Sequence, residues 1–189
     1  MKPEECFISV DIEASGPVPG LYSMLSLGAC LCDDRSIVFE SILRPTTMQF
    51  VPEALEVTGF NLTQLQKDGR EPAEAMAAFR HWVIENVGSR TPVFVGLNAA
   101  FDWAFVNYYF HLFEIQNPFG FAPVDIKALY MGKFQTPWHG ATSKRISAAL
   151  SVNVTPDHTA LTDALAQAEL FEAVMKARPH GAPSGGELP

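Results

Sequence analysis

Residues 7–16 read FISVDIEASG, and their reading decides the fold. β-Branched and aromatic residues fill this run, and it ends in the breaker-rich GPVPG of residues 16–20. That pattern predicts a strand closed by a turn. With a period of two, Ile8, Val10 and Ile12 share one face, while Phe7, Ser9, Asp11 and Glu13 share the other. Two further strand-like stretches follow, LYSMLSLGACLCDD (21–34) and SIVFESILRP (36–45), joined around Asp33-Asp34-Arg35. Three strands with such short links predict an antiparallel meander.

Helical patterns take over beyond this point. PEALEV (52–57), a turn at Thr58-Gly59, NLTQLQK (61–67) and a longer helix over 72–87 come first, with Pro72 suited to a first turn. TPVFVGL (91–97) is a short continuous apolar run and predicts a buried parallel strand. A helix is expected through FDWAFVNYYFHLF (101–113), capped by Asn98 and broken at Asn117-Pro118. PVDIKALYMG (123–132) reads as a short strand running into a helical turn, and further helices are expected over 143–151 and 160–177. Strands first, then alternating strand and helix, predict an α/β domain built on a mixed sheet with helices on both faces. Ligands on such sheets bind at the carboxyl ends of the central parallel strands.

Composition bounds what the chain can do. Of 189 residues, 48% are hydrophobic and 18% charged, which suits one domain over residues 1–177. A chain of this length buries roughly 70% of its unfolded surface. The Pro- and Gly-rich RPHGAPSGGELP (178–189) is expected to be a disordered tail. A net charge of −8 disfavours wrapping duplex DNA or binding anionic membranes. It leaves room for a phosphate substrate if metal ions supply the positive charge. Cys6, Cys30 and Cys32 form no CxxC pattern, so neither disulfides nor structural zinc are expected, and a cytoplasmic location is the simpler reading. The opening MKPEECF does not read as a secretory signal, and no run approaches the ~20 apolar residues of a membrane span.

Four acids resist explanation as ordinary surface. Asp11 and Glu13 lie side by side on one face of a strand expected to be central, where they repel each other and resist desolvation. The alternative is a strand end emerging into solvent. Asp102 lines up by helical steps with Phe105, Val106, Tyr109 and Phe113, on the inward stripe. A favourable dipole interaction accounts for its place along the helix but not for its direction. Asp163 falls on a stripe with Leu170 and Val174, interrupted by the polar Gln167, and a first-turn acid is again the alternative. His158 lies five residues before Asp163, where a loop histidine is usually a plain exposed side chain. Asp125, Asp157 and Glu169 lack such placement and are read as structural. If the four acids meet at one sheet edge, divalent cations are needed to neutralise them. All-carboxylate ligation selects Mg²⁺ or Mn²⁺, and two such ions roughly 3.5–4 Å apart serve in-line attack on a phosphodiester. A nearby histidine would accept the proton of the attacking water.

Three short motifs carry a resemblance. Asp11-Ile12-Glu13-Ala14-Ser15-Gly16, Asn98-Ala99-Ala100-Phe101-Asp102 and His158-Thr159-Ala160-Leu161-Thr162-Asp163 stand in the order and elements of the DEDDh 3′–5′ exonuclease superfamily. The sequence resembles that superfamily over roughly residues 5 to 175. The resemblance implies a ribonuclease H-like fold with a five-stranded mixed sheet flanked by helices. It implies that Asp11, Glu13, Asp102 and Asp163 hold two Mg²⁺ or Mn²⁺ ions, with Asp11 between them, and that His158 is the general base. Ser15, Gly16 and Asn98 would lie at the substrate, the first two passing close to the terminal nucleotide of a single-stranded DNA or RNA 3′ end. Phe101 would stack on the terminal bases or, alternatively, sit in the core. Many members carry an acid where this chain has Ser26-Leu27-Gly28, and a histidine near Thr58-Gly59-Phe60. The basic residues near the third motif, Lys127, Lys133, Lys144 and Arg145, are read either as contacts to a phosphate backbone or as a solvated face. A homodimer is compatible with this reading. The competing class is a non-catalytic nucleic-acid-binding or assembly module on the same fold, against which the intact set of acids speaks.

Overall fold

The computed structural model describes residues 4–152 and 158–178. Asp157 and most of the expected C-terminal tail lie outside these residues. Strands β1 (Glu5–Ala14), β2 (Met24–Leu31) and β3 (Val38–Ile42) form the meander. Helices α1 (Pro52–Thr58), α2 (Leu62–Asp68) and α3 (Pro72–Val87) follow, and then come β4 (Thr91–Gly96), α4 (Ala100–Leu112), β5 (Val124–Asp125) and α5 (Ile126–Phe134). A 3₁₀ turn (Trp138–Gly140), α6 (Ser143–Leu150) and α7 (Ala160–Lys176) complete the described chain. The five-stranded sheet has the order β3-β2-β1-β4-β5. β1 and β2, like β2 and β3, are antiparallel, whereas β4 runs parallel to both β1 and β5. The sheet is therefore mixed, with β1 at its centre.

The period of two in β1 divides the protein into two layers. Ile8, Val10 and Ile12 pack with Phe79 of α3 and with Phe105, Val106 and Tyr109 of α4, all buried. On the opposite face Phe7 meets Phe171 of α7 at 4.9 Å between ring centroids. Val95, Ile126, Leu170 and Val174 form the core on that side. The three cysteines are free thiols buried in these layers, and burial pushes the Cys30 thiol up to about 12. No helix among the described residues is long and apolar enough to cross a membrane.

Two local expectations are corrected. Asn98 does not cap α4: the cap position is Ala99, without a side-chain hydrogen bond. Asn98 instead takes the left-handed conformation, φ 56°, which Asn tolerates better than most residues. It makes the sharp turn out of β4, and its carbonyl accepts from Phe101 N at 3.2 Å. The helix also stops at Leu112, ahead of Asn117-Pro118. Glu114 turns left-handed at φ 55°, and Ile115 N donates to Phe110 O at 2.8 Å. The chain thus reverses before the proline is reached.

Candidate metal centre

The site begins with a strand that outlives its neighbour. β1 pairs with β4 only as far as Ser9 opposite Val95. After Gly96 the chain leaves the sheet for α4, so the second half of β1 has no strand on that side. Asp102, in the first turn of α4, fills the gap: its Oδ1 accepts from Ile12 N at 3.1 Å. This one bond satisfies a buried backbone donor and sets Asp102, 4% exposed, beside the strand that carries Asp11 and Glu13. Burial raises its carboxyl well above the ordinary range, partly offset by the Ile12 amide.

On the other side of β1 a glycine sets the approach of α7. Gly28 of β2 lies opposite Asp11. A Cβ on Gly28 would stand 2.3 Å from the carbonyl carbon of Ala160 and from the amide nitrogen of Leu161. The α7 backbone rests directly on the strand there, which no side chain would allow. Asp163, one turn into α7, is thereby brought over β1. Ligand oxygens of Asp11, Glu13 and Asp163 all lie within 4.8 Å of one another.

These acids raise one another. The carboxyl of Asp11 is held well above its ordinary range by burial first, then by Asp102, Asp163 and Glu13. Glu13 is pushed up to about 7 by burial and by Asp163. Among the described residues, neither Asp11 nor Glu13 forms an ion pair with a lysine or arginine. Hard oxygen donors at this spacing are the set a divalent cation such as Mg²⁺ or Mn²⁺ takes. The residues fit the metal that the sequence calls for.

Two residues outside the candidate set support this centre: Gln167, read from sequence as a polar exception on its stripe, and Asp125, read as structural and found so. Gln167 donates from Nε2 to Asp11 Oδ1 at 2.5 Å, and its Oε1 accepts from Leu97 N at 2.8 Å. It ties the end of β4 to the central carboxylate. Its place on the same stripe as Asp163, four residues on, was the available signal. Asp125 accepts from Ala99 N and from Ala128 N, both at 2.7 Å, and so anchors the starts of α4 and α5 together. An acid closing an apolar strand just before a helix signals such a cap.

The other sequence candidates divide. His158 is exposed, two residues ahead of α7, with left-handed φ 60°; it stands outside the three-carboxylate group. Ser15 is fully buried, and its hydroxyl donates to Gln49 O at 2.8 Å and accepts from Ser23 N at 2.9 Å. Its side chain is spent on holding the turn after β1. Gly16 lies against Tyr22, whose ring atoms would stand 2.5 Å from any Cβ there. Asn98 is exposed at the turn into α4. Phe101 is 39% exposed, with its ring 5.2 Å from Phe105. It lines a cavity of about 470 Å³ together with Glu13, Gly16, Val51, Val57 and Thr58. A second cavity of about 200 Å³ is lined by Asp11 and Asp163 together with Leu97, Ser143 and Gln167. Ser26, opposite Glu13, is buried, and its Oγ has no hydrogen-bond partner among the described residues.

Comparisons with known proteins agree with this geometry. The RNase_T family, described as Exonuclease, matches residues 8–171. The chain is 47% identical over 174 residues to the 3′-5′ DNA exonuclease Cap18 of Escherichia coli, covering 92% of this chain and 93% of that one. The nuclease domain of 3′hExo, a DEDDh family member solved bound to rAMP, shares the fold with a TM-score of 0.72 at 16% identity, over 90% of each chain. E. coli exonuclease I, solved as a zinc-bound complex with single-stranded DNA, gives a TM-score of 0.67 at 16% identity over 90% of this chain and 40% of its own. The acids on β1, α4 and α7 therefore sit in a ribonuclease H-like nuclease fold, and the chain belongs to the RNase T family of exonucleases.

Proposed function

We propose that this protein is a metal-dependent 3′–5′ exonuclease acting on single-stranded DNA. The observation that carries the reading is the convergence of Asp11, Glu13 and Asp163, their oxygens within 4.8 Å of one another, beside a cavity edged by the half-exposed ring of Phe101. The 47% identity to a 3′-5′ DNA exonuclease supports the direction and the sugar.

In this reading Asp11, Glu13 and Asp163 hold the metal, with Asp102 completing the set for a second ion. When bound, two divalent ions neutralise the phosphate and stabilise charge on the attacking and leaving oxygens. The chain's own residues do the rest. Phe101 and the apolar wall of α1 seat the terminal nucleoside, where stacking tolerates any base. Gly16, whose side-chain position is taken by the Tyr22 ring, edges the cavity with its backbone. Gln167 keeps the Asp11 carboxylate in one orientation. His158 accepts the proton of the attacking water. The new bond joins water oxygen to phosphorus, the bond from phosphorus to the 3′ oxygen of the preceding nucleotide breaks, that oxygen takes a proton from solvent to become a 3′-hydroxyl, and a nucleoside 5′-monophosphate leaves.

The test is incubation of the pure protein with single-stranded DNA and RNA labelled at the 5′ end, in Mg²⁺, in Mn²⁺ and in EDTA. Stepwise shortening from the 3′ end of DNA that needs metal is the expected result. Intact DNA under every metal condition would sink the proposal. Shortening of RNA alone would reassign the substrate.

A further inference from the structure

We infer that the face formed by Trp138, Lys144 and Arg145 is a docking track for the upstream part of a single strand, several nucleotides from the terminus being cut. The inference rests on the exonuclease reading of the neighbouring carboxylates.

Charge along the chain is unevenly placed. Residues 126–156 hold Lys127, Lys133, Lys144 and Arg145 and no acid, while all twenty-one acids lie elsewhere. Among the described residues this segment folds as α5, the 3₁₀ turn and α6. In a chain of net charge −8, it is where a polyanion meets least repulsion. Lys133 is engaged elsewhere, donating to Val174 O and Met175 O at the end of α7. Lys144 and Arg145 are exposed, and neither forms a salt bridge among the described residues.

An aromatic stands within this basic stretch. Trp138 is 62% exposed, an expensive position for an indole unless a partner covers it. Its ring is held in place from below: Lys127 Nζ lies 3.3 Å from the ring centroid, a cation–π contact made by a lysine that is itself buried. Arg145 Nη1 donates to His139 O at 2.6 Å, which pins the 3₁₀ turn to α6. A ring with one face fixed on a cation and the rest open, with the exposed Arg145 tied to the residue after Trp138, is a platform for an unstacked base and its phosphates.

The platform also leads to the site. Ser143, adjacent in sequence to Lys144 and Arg145, lines the cavity that contains Asp11, Asp163 and Gln167. Ser143 is the fifth residue after Trp138, so their Cα atoms lie at most about 18 Å apart. A strand whose last phosphodiester sits on the carboxylates can therefore reach the ring with a base a few positions upstream. A dinucleotide has one base upstream of its only phosphodiester and no further phosphate to offer Lys144 or Arg145.

The experiment compares Trp138→Ala, Trp138→Phe and the Lys144→Ala/Arg145→Ala pair on a DNA dinucleotide and on a single strand of about ten nucleotides. Melting curves check that the exposed substitutions leave the fold intact. Expected for Trp138→Ala is a loss of about five-fold or more in kcat/KM on the long strand only, with Trp138→Phe keeping most of the rate. The paired variant should lower the salt slope of long-strand binding by about 0.7 for each phosphate it no longer neutralises. Equal losses on both lengths, or no loss on either, would overturn the track. Binding of the long strand by Asp11→Asn protein, read by fluorescence anisotropy with and without Trp138→Ala, separates the two proposals. Trp138-dependent binding without hydrolysis by the unmutated protein defeats the exonuclease reading alone. Hydrolysis and binding both indifferent to Trp138 defeat the track alone.

Discussion

Gln167 holds Asp11 by a 2.5 Å hydrogen bond while accepting another from the Leu97 amide at the end of β4. The central carboxylate is thus oriented by an amide that spans two elements and carries no charge. Partners of this kind set ligand orientation, and their loss typically lowers metal affinity or activity about 10–100-fold. Gln167→Ala is expected to fall in that range in kcat while melting, in EDTA, close to the unmutated protein. Gln167→Glu should be worse in both respects, because it adds another negative charge to an already repelling group. Full activity in Gln167→Ala at limiting Mn²⁺ would reduce the residue to packing.

Stability without metal should fall as pH rises, the reverse of the usual carboxylate behaviour. Glu13 is pushed up to about 7, and Asp11 and Asp102 also lie above their ordinary values. Between the unfolded carboxylate values near 4 and about 7, the folded protein holds more protons than the unfolded chain. Stability is greatest below that window and is lost as pH climbs through it. In EDTA the melting temperature should be higher at about pH 5.5 than at about pH 8. At the proposed metal centre Mn²⁺ would bind the ionised acids of the folded protein, so its stabilisation should be larger at the higher pH. Equal melting temperatures at the two pH values in EDTA would show that the acids are not mutually strained.

Gly28→Ala tests how α7 is seated. The new methyl would stand 2.3 Å from the carbonyl carbon of Ala160, so the helix must lift away from β2. Overpacking of this kind costs about 1–3 kcal/mol. Activity should fall further than stability does, because Asp163 rides on the displaced helix and leaves the reach of Asp11 and Glu13. Calorimetric titration with Mn²⁺ would read this as weakened binding. A stable variant with unchanged metal affinity would mean that Asp163 is placed by other contacts.

Much of this architecture is legible in the residues alone, and the failures have physical causes. The period of two in FISVDIEASG places Asp11 and Glu13 opposite a fully apolar face, and burial of Ile8, Val10 and Ile12 bears that out. Asp102 reads as inward from its apolar stripe and is 4% exposed. The bond from Ile12 N to Asp102 is not readable, because it depends on where β4 stops pairing with β1. Gln167 registers only as an interruption of an apolar stripe, since nothing local shows that Asp11 lies across from it. Asn98 misleads for a related reason: Asn suits both a helix cap and a left-handed turn, and the tertiary path out of β4 selects the turn. Ser15 resembles an open site residue, yet its hydroxyl closes the turn through Gln49, a partner thirty-four residues away.

Ser26 separates a structural from a functional hydroxyl. It is buried opposite Glu13 with no partner for its Oγ among the described residues, and an unpaired buried hydroxyl costs about 1–3 kcal/mol. Ser26→Ala should therefore leave the metal-free melting temperature unchanged or raise it. A fall in melting temperature would show that the hydroxyl is satisfied in solution.

Phe101 decides whether the apolar cavity receives the end of the strand. Its ring touches Phe105 but remains 39% exposed, and it shares the cavity wall with Glu13 and Gly16. A residue that belonged only to the core would be covered on all sides, as Phe105 is. Phe101→Ala therefore gives up little packing inside the protein and one stacking face outside it. Base–aromatic stacking contributes about 1–3 kcal/mol, so KM should rise about five-fold or more, with a dinucleotide affected as strongly as a longer strand. That indifference to length distinguishes Phe101 from Trp138, since the terminal base is present in every substrate. The measurement is kcat and KM on both lengths, paired with thermal melting in EDTA. Unchanged kinetics with a large drop in melting temperature would return Phe101 to the core, and the terminal nucleoside would then need another seat.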